Sequence, residues 1–220
     1  MRFVFVGPQG AGKGTQSDRI ARWFRVPHIE TGKMLRTAAR EETPLGIKAS
    51  EFMDRGELVP DDVVVAMLEE RITEPDAHRG FVLDGFPRTI PQAEALDEML
   101  AANGGGIDAV ISVDVPDEVL LERLSNRRTC PECGRVYNTT DHHPIEPGRC
   151  NEDGTPLIQR EDDKPGPIRR RLEIFHKETA PVISFYAARD QVIHVDGVGR
   201  IEDVQSRIVS ALAAKGFRRS

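Results

Sequence analysis

The stretch Gly7-Pro8-Gln9-Gly10-Ala11-Gly12-Lys13-Gly14-Thr15 lies between an apolar run, Phe3-Val4-Phe5-Val6, and a segment of helical spacing that begins at Lys13. A glycine-rich loop placed this way joins the end of a buried strand to the start of a helix. Glycines open backbone conformations closed to other residues and let amide N–H groups approach phosphate oxygens. The helix end adds partial positive charge and Lys13 a full one, so the joint is built to cradle phosphate. A glycine, four residues and then Gly-Lys is the spacing of a P-loop. The hydroxyl that would follow the lysine is displaced, with Gly14 next and the hydroxyl at Thr15, which moves the group usually assigned to magnesium. Kinases, GTPases and ATPases all share such an opening, so the loop alone defines only a broad class.

With 220 residues and 39% hydrophobic content, the chain can build one sizeable core, or one core carrying a small inserted module. A net charge of −6 argues against general affinity for nucleic acid or anionic membranes, so any anion site must be assembled locally. Met1-Arg2-Phe3 leads into the first strand with neither a long apolar segment nor a small-residue cleavage site. A soluble cytoplasmic protein, a monomer without membrane or nucleic-acid partner, is expected. The three cysteines, Cys130, Cys133 and Cys150, cannot all pair as disulfides, and in a reducing compartment their clustering points to metal.

Apolar runs of strand length recur at 2–6, 81–84, 108–114 and 192–196, with a short further strand expected near Val26–Ile29. Between them, helical spacing covers about 13–24, 31–41, 60–72, 89–102, 116–128, 167–188 and 201–214. Alternating β and α units predict an α/β fold, a parallel sheet with helices on both faces. Residues 129–160 break the pattern, being rich in Cys, Pro, Gly, Asn, Asp and Thr without a long apolar period. A loop of that length needs its own organising device or must be mobile, so it reads as an inserted module. Residues 30–59 form a second, helical insertion at the sheet edge. The core domain is then 1–29, 60–128 and 161–220.

Phe81-Val82-Leu83 ends in Asp84-Gly85-Phe86-Pro87-Arg88, which places a carboxylate and a guanidinium at the carboxyl end of a parallel strand, where open α/β sheets bind ligands. Asp84 can hold magnesium directly or through water, and Arg88 can grip phosphate with a planar fork. Cys130-Pro131-Glu132-Cys133 is followed, after sixteen residues, by Cys150-Asn151-Glu152-Asp153. Two Cys-x2-ligand pairs at this separation match a four-ligand zinc site of structural type. Asp153, His142 and His143 are all candidates for the fourth ligand, and a redox pair at Cys130 and Cys133 is the rival reading.

Together, Gly7–Thr15, Thr31-Gly32, Arg36, the Asp84–Arg88 run followed by Gln92, and Asn126-Arg127-Arg128 before the insertion resemble the adenylate kinase family over essentially the whole chain. The resemblance implies a P-loop core, an AMP-binding insertion at 30–59 and a zinc-bearing lid at 129–160. It implies transfer of a phosphoryl group from ATP to AMP, giving two ADP, with Mg2+ accompanying ATP. ATP would meet Gly10, Ala11, Gly12, Lys13, Gly14, Thr15, Arg123, Arg127, Val136, Tyr137 and Gly199. AMP would meet Thr31, Arg36, the backbone of Glu57, Leu58 and Val59, then Gly85, Phe86, Pro87, Arg88, Gln92, Arg160 and Arg171, with Gln92 reading the adenine. Lys13, Arg88, Arg123, Arg160 and Arg171 would form the catalytic set, and Asp153 the fourth zinc ligand.

Spacing alone does not say which of Arg169, Arg170 and Arg171 points inward; the resemblance selects Arg171. Two residues depart from the family's usual pattern: Lys33 stands where an Asp is common, and Gly199 replaces a larger residue. Asp162 and Asp163, just after the lid, are expected to pair with arginines at the hinge as exposed ion pairs, each worth under about 1 kcal/mol. The rival functions are phosphorylation of UMP, CMP or GMP, and a nucleotide-binding regulator whose zinc ribbon engages a partner. A zinc knuckle for nucleic acid is opposed by the acidic charge balance and by Tyr137 being the lone aromatic within it.

Overall fold

The computed structural model describes residues 1–140 and 142–218. Five strands, β1 (Arg2–Val6), β2 (His28–Glu30), β3 (Phe81–Asp84), β4 (Ala109–Asp114) and β7 (Val192–Asp196), form a parallel sheet in the order β2-β3-β1-β4-β7. Around it lie α1 (Lys13–Phe24), α4 (Asp61–Ile72), α5 (Ile90–Ala102), α6 (Asp117–Ser125), α7 (Pro165–Ile174), α8 (Ala180–Ala187) and α9 (Ile201–Ala214). Successive strand residues point to opposite faces, and the core divides accordingly. Val4, Leu83 and Val110 pack with Leu68 of α4, Leu96 of α5 and Tyr186 of α8. Phe3, Phe5, Val82 and Ile111 pack with Ile20 of α1, Leu120 of α6, Ile168 of α7 and Ile208 of α9. The near-continuous apolar strands are the signature of a sheet covered on both sides.

After β2 the chain forms α2 (Thr31–Arg40) and α3 (Pro44–Asp54) before returning to the core at α4. Thr43 accepts a hydrogen bond from the Gly46 N–H at 3.0 Å and Pro44 occupies the first turn, which is what starts α3. Beyond α6, β5 (Arg127–Thr129) and β6 (Val136–Asn138) make an antiparallel hairpin. Its stem is closed by a bridge between Thr129 and Ile158.

Three expectations need correction. The helix predicted to run to 128 ends at Ser125, because the hairpin claims its end. Asn138 Nδ2 donates to the Arg123 carbonyl at 3.1 Å and the Thr139 N–H to the Asn126 carbonyl at 3.0 Å, while Arg127 pairs with Asn138 in the ladder. The single helix predicted at 167–188 is α7 and α8 joined by a π-helical turn at Phe175–Thr179. Pro181 has no N–H to donate back along the helix, so the regular ladder is interrupted there. The short second strand lies at 28–30, in register with β3, and not at 26–29. Among the described residues, no helix is long and apolar enough to cross a membrane.

Ile111 is 0% exposed and faces Phe5 and Ile193 in the ladder. Ile111→Ala is expected to lower the unfolding free energy by about 2–5 kcal/mol, read from urea denaturation.

Candidate active site

Gly12 caps α1 in the left-handed region at φ 88°, and Gly10 lies at φ 86°, so the loop curls ahead of the helix through backbone conformations that glycine adopts without strain. At Gly14, a Cβ would come within 3.2 Å of Asp84 Oδ2. The position after Lys13 thus stands close against the carboxylate at the end of β3. Lys13 Nζ donates to the Pro8 carbonyl at 2.9 Å, folding the ammonium back over the loop. Burial pushes Lys13 down to about 8; Asp84 works against this, while Arg88, Arg171 and Arg127 add to it. Asp84 is itself buried, and burial raises its carboxyl above the usual range despite Lys13.

From this loop a cleft extends toward the first insertion. Its walls hold Thr31, Gly32, Leu35, Arg36, Met53, Glu57, Leu58, Val59, Gly85, Arg88, Gln92 and Arg171, with Gln9 at the loop end. Every residue expected to meet AMP lies in this lining except Phe86, Pro87 and Arg160. Phe86 is 0% exposed and packs in the core, and its peptide bond to Pro87 is cis, so these two shape the turn from beneath. Thr31 Oγ1 donates to the Gly85 carbonyl at 3.0 Å, and Arg88 Nε donates to the same carbonyl at 2.7 Å. Arg36 is held by Glu30 at 2.7 Å. Burial raises Glu30, and Arg36 with His28 and Arg160 more than offsets it, leaving the carboxyl below its usual range.

Asp162 and Asp163 are not the exposed pairs expected. Asp163 is 0% exposed at its side chain and accepts from Arg127 Nε at 2.7 Å and from Arg171 Nη1 at 3.3 Å. The Asp162 backbone carbonyl accepts from Arg171 Nη1 at 2.9 Å, and its carboxylate forms an ion pair with the same nitrogen at 3.0 Å. Buried this way, the aspartates act as fixed holders of two guanidiniums, and removing either would strand a charge. Arg171, and neither Arg169 nor Arg170, is the inward member of its run. Burial lowers Arg171 to about 10 and Arg160 to about 9, with neighbouring arginines contributing in each case. Arg160 Nε is buried without a hydrogen-bond partner. Such guanidiniums keep their charge at neutral pH and gain most from an incoming anion.

Arg123 lies apart from that group. Its Nη1 and Nη2 each donate to the Gly197 carbonyl at 3.2 Å, which ties it to the 196–199 loop. Arg207 donates to the Asp196 and Val198 carbonyls of the same loop, at 2.8 and 2.7 Å. Val136 is exposed on the hairpin, but the Tyr137 side chain is 1% exposed and turned into the lid. Its hydroxyl accepts from the Asn151 N–H at 2.8 Å and lies 3.4 Å from Cys150 Sγ. Contact between Tyr137 and a nucleotide is therefore a matter for its backbone only.

Inside the lid, one donor atom from each of Cys130, Cys133, Cys150 and Asp153 lies within 4.8 Å of the others. Cys133 Sγ and Cys150 Sγ are 3.6 Å apart, and Cys130 Sγ is 3.4 Å from Asp153 Oδ2. Four donors on a tetrahedron with metal–sulfur bonds of about 2.3 Å stand about 3.8 Å apart, so the set fits a metal ion. His142 is stacked on Tyr137 at 5.9 Å and is outside the group.

The adenylate kinase family model matches residues 5–191. The chain belongs to the adenylate kinase family. An adenylate kinase of Carboxydothermus hydrogenoformans is 49% identical over 96% of this chain and 99% of its own length. Those of Archaeoglobus fulgidus and Bacillus subtilis are 47% and 46% identical, each over 96% of this chain and 98% of their own. The chain is accordingly a phosphotransferase acting on nucleotides, and the relatives do not favour a UMP or CMP kinase.

Sequence reasoning did not single out Glu30, which holds Arg36, or Asp61, which accepts from Gln92 Nε2 at 2.7 Å. The Asp61–Gln92 pair joins residues 31 apart on two helices, and no spacing announces it.

Polyphosphate placed beside Lys13 restores the proton that burial weakens. ATP binding between about pH 8 and 9 is therefore expected to take up a proton, with the uptake fading toward neutral pH as the free ammonium fills. Calorimetry in buffers of different protonation enthalpy measures it directly; zero uptake in that window would show an ammonium already fully charged in the free protein.

Proposed function

We propose that this protein catalyses ATP + AMP = 2 ADP at the cleft between the glycine loop and the first insertion, with residues 1–29, 60–128 and 161–220 as core, 30–59 as AMP-binding insertion and 129–160 as lid. The observation that carries the reading is the continuity of one cleft from Gln9 of the phosphate loop to Gln92, with Arg36, Arg88 and Arg171 on its walls. A site for two polyphosphates must neutralise more charge than one lysine supplies, and here it has a cation at every turn.

The amides of Gly10–Thr15 and Lys13 would hold the donor phosphates, while Arg123 and the 196–199 loop, with Val136 and the Tyr137 backbone, would border the donor nucleotide. Arg36 and Arg88 would hold the acceptor phosphate, and Gln92 the adenine. Arg127, Arg160 and Arg171 would surround the group in flight. The attacking phosphate is already anionic, so no general base is needed, and positioning with charge stabilisation suffices. Arg123 is assigned here to nucleotide binding in place of catalysis, because its guanidinium is occupied at Gly197.

Magnesium fits beside Asp84, a single carboxylate facing the phosphate loop, as suits an ion that keeps most of its water; it would offset phosphate charge. Zinc fits the Cys130, Cys133, Cys150 and Asp153 group as a closed structural site, where it would cross-link the lid. Arg40 Nη1 donates to the Glu132 carbonyl at 3.1 Å, a contact by which the lid knuckle would rest on α2 and cover the cleft. Covering the cleft keeps water from competing with AMP for the phosphoryl group.

A coupled assay of ADP formation from ATP with AMP, UMP, CMP or GMP, with and without magnesium, tests the reading. AMP is expected to be the preferred acceptor, and equal or faster use of UMP would refute it. Arg88→Ala is expected to reduce turnover by about 10³-fold or more. Elemental analysis of protein purified without added zinc is expected to find one zinc per chain, and a chelator to lower the thermal stability of the lid. A metal-free lid whose melting ignores chelator would remove the zinc assignment.

A further inference from the structure

The amide of Gln92, on the proposed reading the group that meets the acceptor base, is held from two sides. Gln92 Oε1 accepts from the Arg88 backbone N–H at 2.7 Å, and Gln92 Nε2 donates to Asp61 Oδ1 at 2.7 Å. The other oxygen of that carboxylate, Oδ2, accepts from Thr89 Oγ1 at 2.8 Å, and Thr89 caps α5 by accepting the Gln92 N–H. Gln92 is 2% exposed, so it has no water to turn toward. A backbone N–H can only donate and a carboxylate can only accept. Turning the Gln92 amide over would set its NH₂ against the Arg88 N–H and its carbonyl against the Asp61 carboxylate, losing both bonds and opposing like poles.

We propose that Asp61 is a specificity-determining positioning residue: it fixes the Gln92 amide in one orientation, and that orientation selects adenine over guanine and uracil in the acceptor. The inference rests on the reading that Gln92 meets the base. With one hydrogen given to Asp61 and one lone pair given to Arg88, the amide retains one N–H donor and one lone pair of Oε1. Adenine offers a matching edge, an amino donor beside a ring-nitrogen acceptor. Guanine and uracil offer the reverse, a carbonyl acceptor beside an N–H donor, and could be satisfied only by the turned amide. Asp61 touches no reacting atom and acts only through Gln92, across the join of α4, which it begins, and α5.

The test compares kcat/KM for AMP, GMP and UMP in the wild type, Asp61→Ala, Asp61→Asn and Gln92→Ala. A charge-assisted hydrogen bond is lost in Asp61→Ala, so the AMP:GMP and AMP:UMP ratios are expected to fall about tenfold or more, mainly through KM for AMP. Asp61→Asn retains an acceptor for Gln92 Nε2 and is expected to keep the ratios within about threefold of wild type. A merely structural role would lower all three substrates together and leave the ratios fixed. If Gln92→Ala collapses the ratios while Asp61→Ala leaves them unchanged, the positioning role is overturned and the base-reading role stands. If Gln92→Ala itself leaves them unchanged, both are overturned. Should Asp61→Ala not fold, Asp61→Ser removes the acceptor-only group in the same way and is judged by the same ratios.

Discussion

Positive charge gathered in a place with little water is the constraint around which this molecule is arranged. Lys13, Arg88, Arg160 and Arg171 all lose part of their hold on a proton through burial and through neighbouring arginines. Such a cluster is stable only because Asp84, Glu30, Asp162 and Asp163 stand among the cations, delivered by three separate pieces of chain: the ends of β3 and β2, and the turn at 161–163. The carboxylates do not complete the neutralisation. Arg160 keeps a buried N–H without partner. The cleft is thus a low-dielectric cavity with a deficit of negative charge, which is a physical description of affinity for phosphate.

Much of this was legible in the sequence because short-range signals carry it. Strand β1 followed by Gly7–Lys13, and β3 followed by Asp84–Arg88, announce themselves through apolar runs ending in glycine and charge. Illegible were features decided by partners distant along the chain. Helical spacing continues past Ser125, yet Arg127–Thr129 pair with Val136–Asn138 because the hairpin offers a ladder and the side chain of Asn138 takes a terminal helix carbonyl. Asp163 reads as one acid in a charged hinge; only the fold buries it between Arg127 and Arg171. Asp61 is equally silent, because its partner Gln92 lies 31 residues away on another helix.

The lid shows how a segment without a conventional core holds a shape. Its buried apolar cluster amounts to Cys130, Tyr137 and Cys150, with Leu157 against them. Too little surface is removed from water there to order some thirty residues, and on the proposed reading a metal held by Cys130, Cys133, Cys150 and Asp153 would supply much of the cohesion. Tyr137 serves both purposes, filling that small interior with its ring and bringing its hydroxyl to Cys150 and the Asn151 N–H. Its burial also fixes the hairpin's facing, with Val136 left outward.

The hydrogen bond from Arg40 to the Glu132 carbonyl joins the two insertions at their outer rims, where Arg40 is exposed. A bond of that kind is worth about 0.5–1.5 kcal/mol, roughly a tenfold bias at most. On the proposed reading this contact favours the covered arrangement only weakly, and nucleotide occupancy would furnish the remaining preference. A molecule poised so near balance would tend to uncover its cleft once the phosphates that bridge its cations depart, so the same shallow energy difference that admits substrates also releases products.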